Sequence, residues 1–302
     1  MKKMYLILLS GLLTFSMGLT GCSNSTENVQ KFNEEKVMIA NGNHDVPGIL
    51  TMPTNASEEK PAPVVLLLHG TGGNKNELGD IYIRLASKLA EDGYASLRID
   101  FAGGGDSTQP YVENNFDDSV TDALKSIDYL ESLPKVDDTR IGVLGYSQGG
   151  RTAQVVAGRS PKVSALATWA SASSNGNEGF EMFFTLEEEA NKNGSTTLTL
   201  PWGTKLELGK KWFDAMKNSR ALDEVANYKG PLLAIAGSED QVVPTKYAKD
   251  LVMHAGGNDA TLRIIEGADH GYKILANDQL NPDQSIAEEL LTITTDWFKA
   301  KL

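Results

Sequence analysis

The sequence has 302 residues, of which 40% are hydrophobic and 23% charged, with 28 basic against 40 acidic side chains and a formal net charge of −12. That length suits one large domain or two small ones with a sizeable buried core, and ordinary globular usage argues against a disordered chain, a collagen-like repeat or a coiled-coil rod. The acidic balance, with no concentrated basic face, argues against nucleic acid as a partner.

At the start, Lys2 and Lys3 precede the apolar run Met4 to Leu13, and the segment closes on Leu19-Thr20-Gly21-Cys22. A basic start before a short apolar stretch, interrupted by Ser and Gly, reads as a secretory signal rather than a transmembrane helix. Leu-Thr-Gly-Cys resembles the lipobox of bacterial lipoproteins. The resemblance implies that residues 1–21 are a signal peptide, that the Cys22 thiol is lipidated, and that the chain is extracytoplasmic and anchored to a bacterial membrane. Cys22 is the one cysteine, so the remaining body has no thiol for a disulfide, a thiolate zinc site or a nucleophile. Residues 23–35, SNSTENVQKFNEE, have little to bury. Residues 22–35 are therefore expected as a flexible tether and residues 36–302 as the folded domain.

Val37 to Ala40 and Gly48 to Met52 flank turn residues and predict an antiparallel hairpin at a sheet edge. Pro63 to Leu68 is a continuous apolar run before a glycine-rich loop, as expected of a strand buried on both faces. Helical spacing then covers Ile81 to Asp92, Ser119 to Leu133 and Gly149 to Arg159, alternating with strand-like Tyr94 to Ile99, Ile141 to Leu144 and Val163 to Ala170. After an interruption, Leu232 to Ala236, Thr245 to His254, Thr261 to Ile265 and Ser285 to Lys299 resume the alternation. Repeated βα units predict an α/β fold with a mostly parallel sheet and helices on both faces.

The interruption, about residues 173–228, is too long for an ordinary connection and is expected to fold as an inserted cap. Thr196 to Leu200 and Lys205 to Leu208 predict a short hairpin within it. Phe180, Phe183, Phe184, Trp202, Trp212, Phe213 and Tyr228 enrich it in aromatic rings. Such rings either line an acyl or aryl pocket, with Trp202, Trp212 and Phe213 as the candidates, or supply the packing of a small subdomain.

The chemistry centres on Gly145-Tyr146-Ser147-Gln148-Gly149, a GxSxG signature between an apolar strand and a helix. The glycines permit a tight strand-to-helix turn that exposes the Ser147 hydroxyl, and the helix start adds partial positive charge where an oxyanion would develop. A serine hydroxyl needs a base to take its proton. Of the four histidines, His44 lies in the early turn, His69 ends the third strand and His254 ends a helix. His270 lies in a loop between the last strand and the last helix, from which it can reach the carboxyl edge of the sheet. The acid that orients the imidazole follows another apolar strand, where Glu239 and Asp240 are neighbours.

The order Ser, acid, His on alternating strands and helices resembles that of the α/β-hydrolases, over roughly Val65 to Tyr272. The resemblance favours Asp240, because Gly237, Asp240 and Val243 match the family's G-x-x-D-x-x-V. It implies an oxyanion hole from the backbone amides of Gln148 and Thr71, with His69 shaping the loop that carries Thr71. Arg98 to Ser107 is similar to a superfamily stretch that fixes backbone geometry, so Asp100 and Asp106 receive no chemistry. Asp117 and Asp118 read as first-turn helix carboxylates and Glu187 to Glu189 as a solvated face.

Within the superfamily the chain most resembles the cinnamoyl and feruloyl esterase branch, related to dienelactone-hydrolase-like proteins. Dienelactone hydrolases proper carry Cys at the nucleophile, whereas Ser147 stands here, which turns the expectation from lactones to esters. The expected function is a serine esterase acting on a small-molecule ester through an acyl-enzyme, with no metal or organic cofactor. An exopeptidase or aminopeptidase of the same fold, and a non-catalytic ligand-binding surface lipoprotein, remain the alternatives.

Overall fold

A computed structural model describes residues 31–42, 44–200 and 203–302. The expected signal segment, Cys22, the tether up to residue 30 and Trp202 lie outside the described residues.

Strands β1 (Phe32–Asn41) and β2 (His44–Pro53) form the expected hairpin, in register from Phe32 opposite Pro53 to Asn41 opposite His44. Phe32 to Glu35 are therefore strand, which corrects the expectation that the tether runs to residue 35. The polar composition concealed this because β1 is an edge strand, free of the need for two apolar faces. Within β1, Glu34 serves a buried cation. Its Oε1 accepts hydrogen bonds from Arg98 Nη1 at 2.9 Å and from Thr51 Oγ1 at 3.1 Å, and so neutralises a guanidinium on a residue that is 1% exposed.

The next elements are β3 (Ala62–Leu68), α1 (Ile81–Glu91), β4 (Ala95–Ile99), α2 (Phe116–Glu131), β5 (Val136–Tyr146), α3 (Gln148–Arg159) and β6 (Val163–Trp169). After the cap come β9 (Leu232–Gly237), α8 (Lys246–His254), β10 (Ala260–Ile265) and α9 (Ser285–Lys301). Eight strands make one sheet in the order β1-β2-β4-β3-β5-β6-β9-β10; β1 and β2 run antiparallel to their neighbours and the other pairings are parallel. The apolar run of β3 follows from its burial on both faces. Val64, Leu66 and Leu68 share a core with Phe116, Val120 and Ile127 of α2, while Val65 and Leu67 share another with Ile81, Leu85 and Leu89 of α1 and Phe298 of α9. Each fully buried aliphatic side chain contributes about 2 kcal/mol of burial free energy. α2 starts three residues earlier than its apolar spacing suggests, because the Asn115 side chain caps it by accepting the Asp118 N–H at 2.9 Å.

Chain order places β4 on one side of β3 and β5 on the other. The carboxyl ends of β3 and β5 therefore flank a crevice at the point where the winding reverses, the place where open α/β sheets bind ligands.

Between β6 and β9 the cap consists of α4 (Glu181–Phe184), α5 (Glu187–Asn193), the hairpin β7 (Ser195–Thr199) with β8 (Lys205–Gly209), α6 (Lys210–Asn218) and α7 (Ala221–Val225). A short β11 (Leu275–Ala276) and β12 (Gln279–Leu280) pair lies before α9. Trp212 and Phe213 are fully buried, lie 5.1 Å apart, and meet Phe180, Phe183 and Phe184 at centroid distances of 5.4–6.1 Å. Their expected place in a substrate pocket is corrected accordingly: these rings form the core of the cap, since a subdomain this small has few other side chains with which to exclude water. Arg151 of α3 ties the cap down, with Nη1 on Ser174 Oγ at 3.1 Å and Nη2 on Gly176 O and Ser219 Oγ at 2.6 Å each. Burial lowers the Arg151 pKa to about 10. Among the described residues no helix is long and apolar enough to cross a membrane.

Candidate active site

Ser147 occupies the single residue between β5 and α3, with φ 52° and ψ −119°, a conformation that ordinary side chains avoid. The flanking glycines make this turn possible. A Cβ at Gly145 would lie 2.1 Å from Gly149 O, and one at Gly149 would lie 2.3 Å from Leu68 O, so α3 can start against β3 only without those side chains.

His270 and Asp240 reach the same point from the loops after β10 and β9. His270 Nε2 lies 3.1 Å from Ser147 Oγ, and His270 Nδ1 lies 2.8 Å from Asp240 Oδ2. The Asp240 carboxylate is fully buried, and its other oxygen accepts the backbone N–H groups of Val242 and Val243 at 2.8 Å each. The fixed carboxylate selects the imidazole tautomer with the proton on Nδ1, leaving Nε2 to accept from the serine hydroxyl. Glu239 instead points outward and pairs with Lys273 at 3.2 Å. Gly237 lets the two loops meet, because a Cβ there would lie 2.2 Å from Ala268 O.

The loop after β3 packs on the same turn. A Cβ on Gly70 would lie 3.1 Å from Ser147 Cβ. Thr71 Oγ1 donates to Gln148 Oε1 at 2.8 Å, which joins the two residues expected to stabilise the oxyanion. Among the described residues, neither backbone N–H of this pair has a protein acceptor, and Gln148 stands at the positive end of α3. His69 is structural: its Nε2 accepts the Phe101 N–H at 3.0 Å, so Nδ1 carries the proton and donates to Gly70 O at 2.8 Å. Asp100 is likewise structural, accepting the N–H groups of Lys75 and Asp106 and pairing with the Lys75 ammonium. Among the described residues no group of three or more His, Cys, Asp or Glu is placed to hold a metal ion.

Sequence reasoning passed over several residues that shape this site. Tyr146, beside the nucleophile, stacks on His270 at 5.2 Å and donates its hydroxyl to His270 O at 3.1 Å, which fixes the base loop. Glu77 accepts the Gly70 N–H at 2.8 Å, and burial pushes its carboxyl up to about 7. Tyr111 Oη accepts the Gly72 N–H at 3.2 Å. Leu200 and Leu206 of the cap hairpin close over Gly72, where a Cβ would lie 3.4 and 3.1 Å from them. Only Tyr146 carried a signal, its place inside the GxSxG run; the others are joined to the site across folds of the chain.

A sequence profile of the dienelactone hydrolase family matches residues 46–302. Among curated proteins, the chain is similar to a putative hydrolase of Bacillus subtilis (strain 168), YtaP, at 31% identity over 137 residues, 39% of this chain and 45% of that one. It is also similar to an uncharacterized peptidase of the same organism, YuxL, at 25% identity over 287 residues, 91% of this chain and 39% of that one. The chain thus spans less than half the length of the curated relatives it matches. Among solved structures, Est1E from Butyrivibrio proteoclasticus with ferulic acid bound superposes with a TM-score of 0.69 at 22% identity, over 88% of this chain and 98% of that one. The eight-stranded sheet is the α/β-hydrolase fold.

Proposed function

The chain belongs to the dienelactone hydrolase family of α/β-hydrolases, and from that premise we propose that it is a serine hydrolase cleaving carboxylic esters through an acyl-enzyme. The observation that carries this reading is the hydrogen-bonded run from Ser147 Oγ through the His270 ring to Asp240 at the carboxyl edge of the sheet. His270 Nε2 takes the hydroxyl proton as Ser147 Oγ attacks the ester carbonyl, and Asp240 stabilises the resulting imidazolium. The amides of Thr71 and Gln148 receive the oxyanion, each worth about 3 kcal/mol in the transition state. The imidazolium returns its proton to the leaving alcohol, and water repeats the attack on the acyl-serine.

Ferulic acid in the related Est1E makes feruloyl and cinnamoyl esters the first substrates to test. A second reading, an exopeptidase, is favoured by the match to YuxL along most of this chain. Turnover of short p-nitrophenyl esters, methyl ferulate and aminoacyl amides by the native enzyme and by Ser147→Ala separates the cases. Ester turnover abolished by the substitution supports the proposal. Activity that survives it removes the serine mechanism, and amide turnover above ester turnover selects the peptidase. We also propose, from the lipobox resemblance alone, that Cys22 anchors the chain to a membrane. Metabolic labelling with palmitate should be lost in Cys22→Ser, and label retained there would overturn the anchor.

A further inference from the structure

We propose that Glu77 is a positioning residue for the oxyanion loop: its carboxylate fixes the Gly70 backbone and thereby sets the Thr71 amide against Ser147. This inference rests on the serine-hydrolase reading above. Glu77 lies before the short turn Leu78–Asp80 that leads into α1 and is 9% exposed. Its Oε2 accepts the Gly70 N–H at 2.8 Å and its Oε1 accepts the Leu78 N–H at 3.2 Å, so one carboxylate ties the loop after β3 to the entry of α1. Gly70, the residue it holds, is the one packed on Ser147 Cβ, and Thr71 follows directly.

Two further observations indicate that the carboxylate is needed for more than filling space. Glu77 has φ 57° and ψ −177°, a backbone conformation suited to glycine, so a side chain is kept there against conformational strain. It is also buried with no cationic partner: among the described residues no Lys, Arg or His forms an ion pair with it, and Lys75 nearby in sequence pairs with Asp100 and Asp106. The titratable groups that face it are Tyr82 of α1, Tyr146 of β5 and Tyr272 of the base loop. Their hydroxyls donate elsewhere, to Leu68 O, His270 O and Ile235 O. Leu78, Ile81, Trp169 and Ile274 complete an apolar surrounding. Burial there pushes the carboxyl up to about 7. Its protonation in the neutral range weakens the bond to the Gly70 N–H, because a neutral acid is the poorer acceptor.

The test compares native enzyme, Glu77→Gln, Glu77→Gly and Ser147→Ala on p-nitrophenyl acetate across pH 5–9, with folding checked by circular dichroism. Glu77→Gly relieves the strained backbone while removing the carboxylate. It should lose about 10- to 100-fold in kcat with little change in KM, part of the loss expected when an oxyanion donor is removed outright. Glu77→Gln keeps an acceptor for Gly70, but a neutral and weaker one, and should lie between native and Glu77→Gly, about 3- to 10-fold below native at pH 9. As the native carboxyl protonates, native kcat should converge on that of Glu77→Gln, so their ratio should shrink towards about 1 at pH 5. Glu77→Gly with native kcat, or a native to Glu77→Gln ratio that does not change with pH, would overturn the proposal. If Glu77→Gly does not fold, the pH dependence of that ratio decides alone. Activity retained in Ser147→Ala would instead strike the underlying reading, so the two failures are distinct.

Discussion

Asp240→Asn isolates the role of the buried acid, because the structure dictates how the new amide must lie. Oδ1 of Asp240 receives two backbone N–H groups at 2.8 Å, from Val242 and Val243. Turning the amide to place its NH2 on that side would leave both donors unsatisfied, at about 1–3 kcal/mol each. The carbonyl oxygen of Asn therefore stays with the two amides, and the NH2 group faces His270 Nδ1. A donor there forces Nδ1 to accept, so the ring proton moves to Nε2 and points at Ser147 Oγ, where it cannot act as base. The expected loss is about 10⁴-fold in kcat, close to 5.5 kcal/mol of transition-state stabilisation, with the fold retained because the loop keeps its hydrogen bonds. Steady-state kinetics on p-nitrophenyl acetate and the rate of fluorophosphonate labelling measure it. A folded Asp240→Asn enzyme within tenfold of native kcat would show that neither the tautomer nor this carboxylate governs the base.

Gly149→Ala places a methyl group 2.3 Å from Leu68 O and should destabilise the fold by more than about 3 kcal/mol by pushing α3 off β3; an unchanged urea midpoint would contradict the close approach. Trp212→Ala should cost about 3–5 kcal/mol of stability while leaving KM for short esters near native, and the reverse pattern would return this ring to the substrate pocket. Stability should also respond to pH through Glu77, whose pKa is raised by burial from 4.5 unfolded to about 7 folded. Between those values the native state binds more protons than the unfolded one, so this group's contribution falls as pH rises and levels off above about 7. Relative to native enzyme, Glu77→Gln should gain stability between pH 5 and pH 8, by up to about 3 kcal/mol in urea unfolding, and no relative gain would mean that the native carboxyl titrates normally.

Much of the scaffold is legible in the sequence because its signals are local. The run from Pro63 to Leu68 reads as a two-sided strand from composition alone, and the turn at Ser147 announces itself through glycines that a Cβ would convert into backbone clashes. Asp240 and His270 are readable because each follows a strand on the same edge of a parallel sheet, where topology brings them together. What escaped depends on partners distant in sequence. Phe32 to Glu35 look like linker until Arg98 is seen to need Glu34. The rings of the cap can be read from sequence as pocket or as core until Trp212 is found among Phe180, Phe183, Phe184 and Phe213. Tyr146 is marked only by its place inside the GxSxG run, and Glu77 carries no motif at all, since the effect of each lies in the backbone group it holds in place.

Strain and desolvated charge gather at the same edge as the chemistry. Glu77, Asp80, Ser147, Ala170, Tyr272 and Lys273 all have positive φ, and all lie in loops or turns around the crevice and its supports. Each such conformation costs of the order of 1–3 kcal/mol, and the buried carboxyl of Glu77 adds a cost of its own. These terms oppose folding, so they persist only because β3, β5, β6 and β9 run through two continuous cores that offset them. The division of labour has a consequence for the signs of substitutions. Truncating Leu66 removes core without touching the site, so it should lower stability and leave turnover per folded molecule intact. Neutralising Glu77 relaxes the site at the expense of catalysis. A fold built this way keeps its reactive edge poised by stability generated elsewhere, and its activity and its stability need not move together.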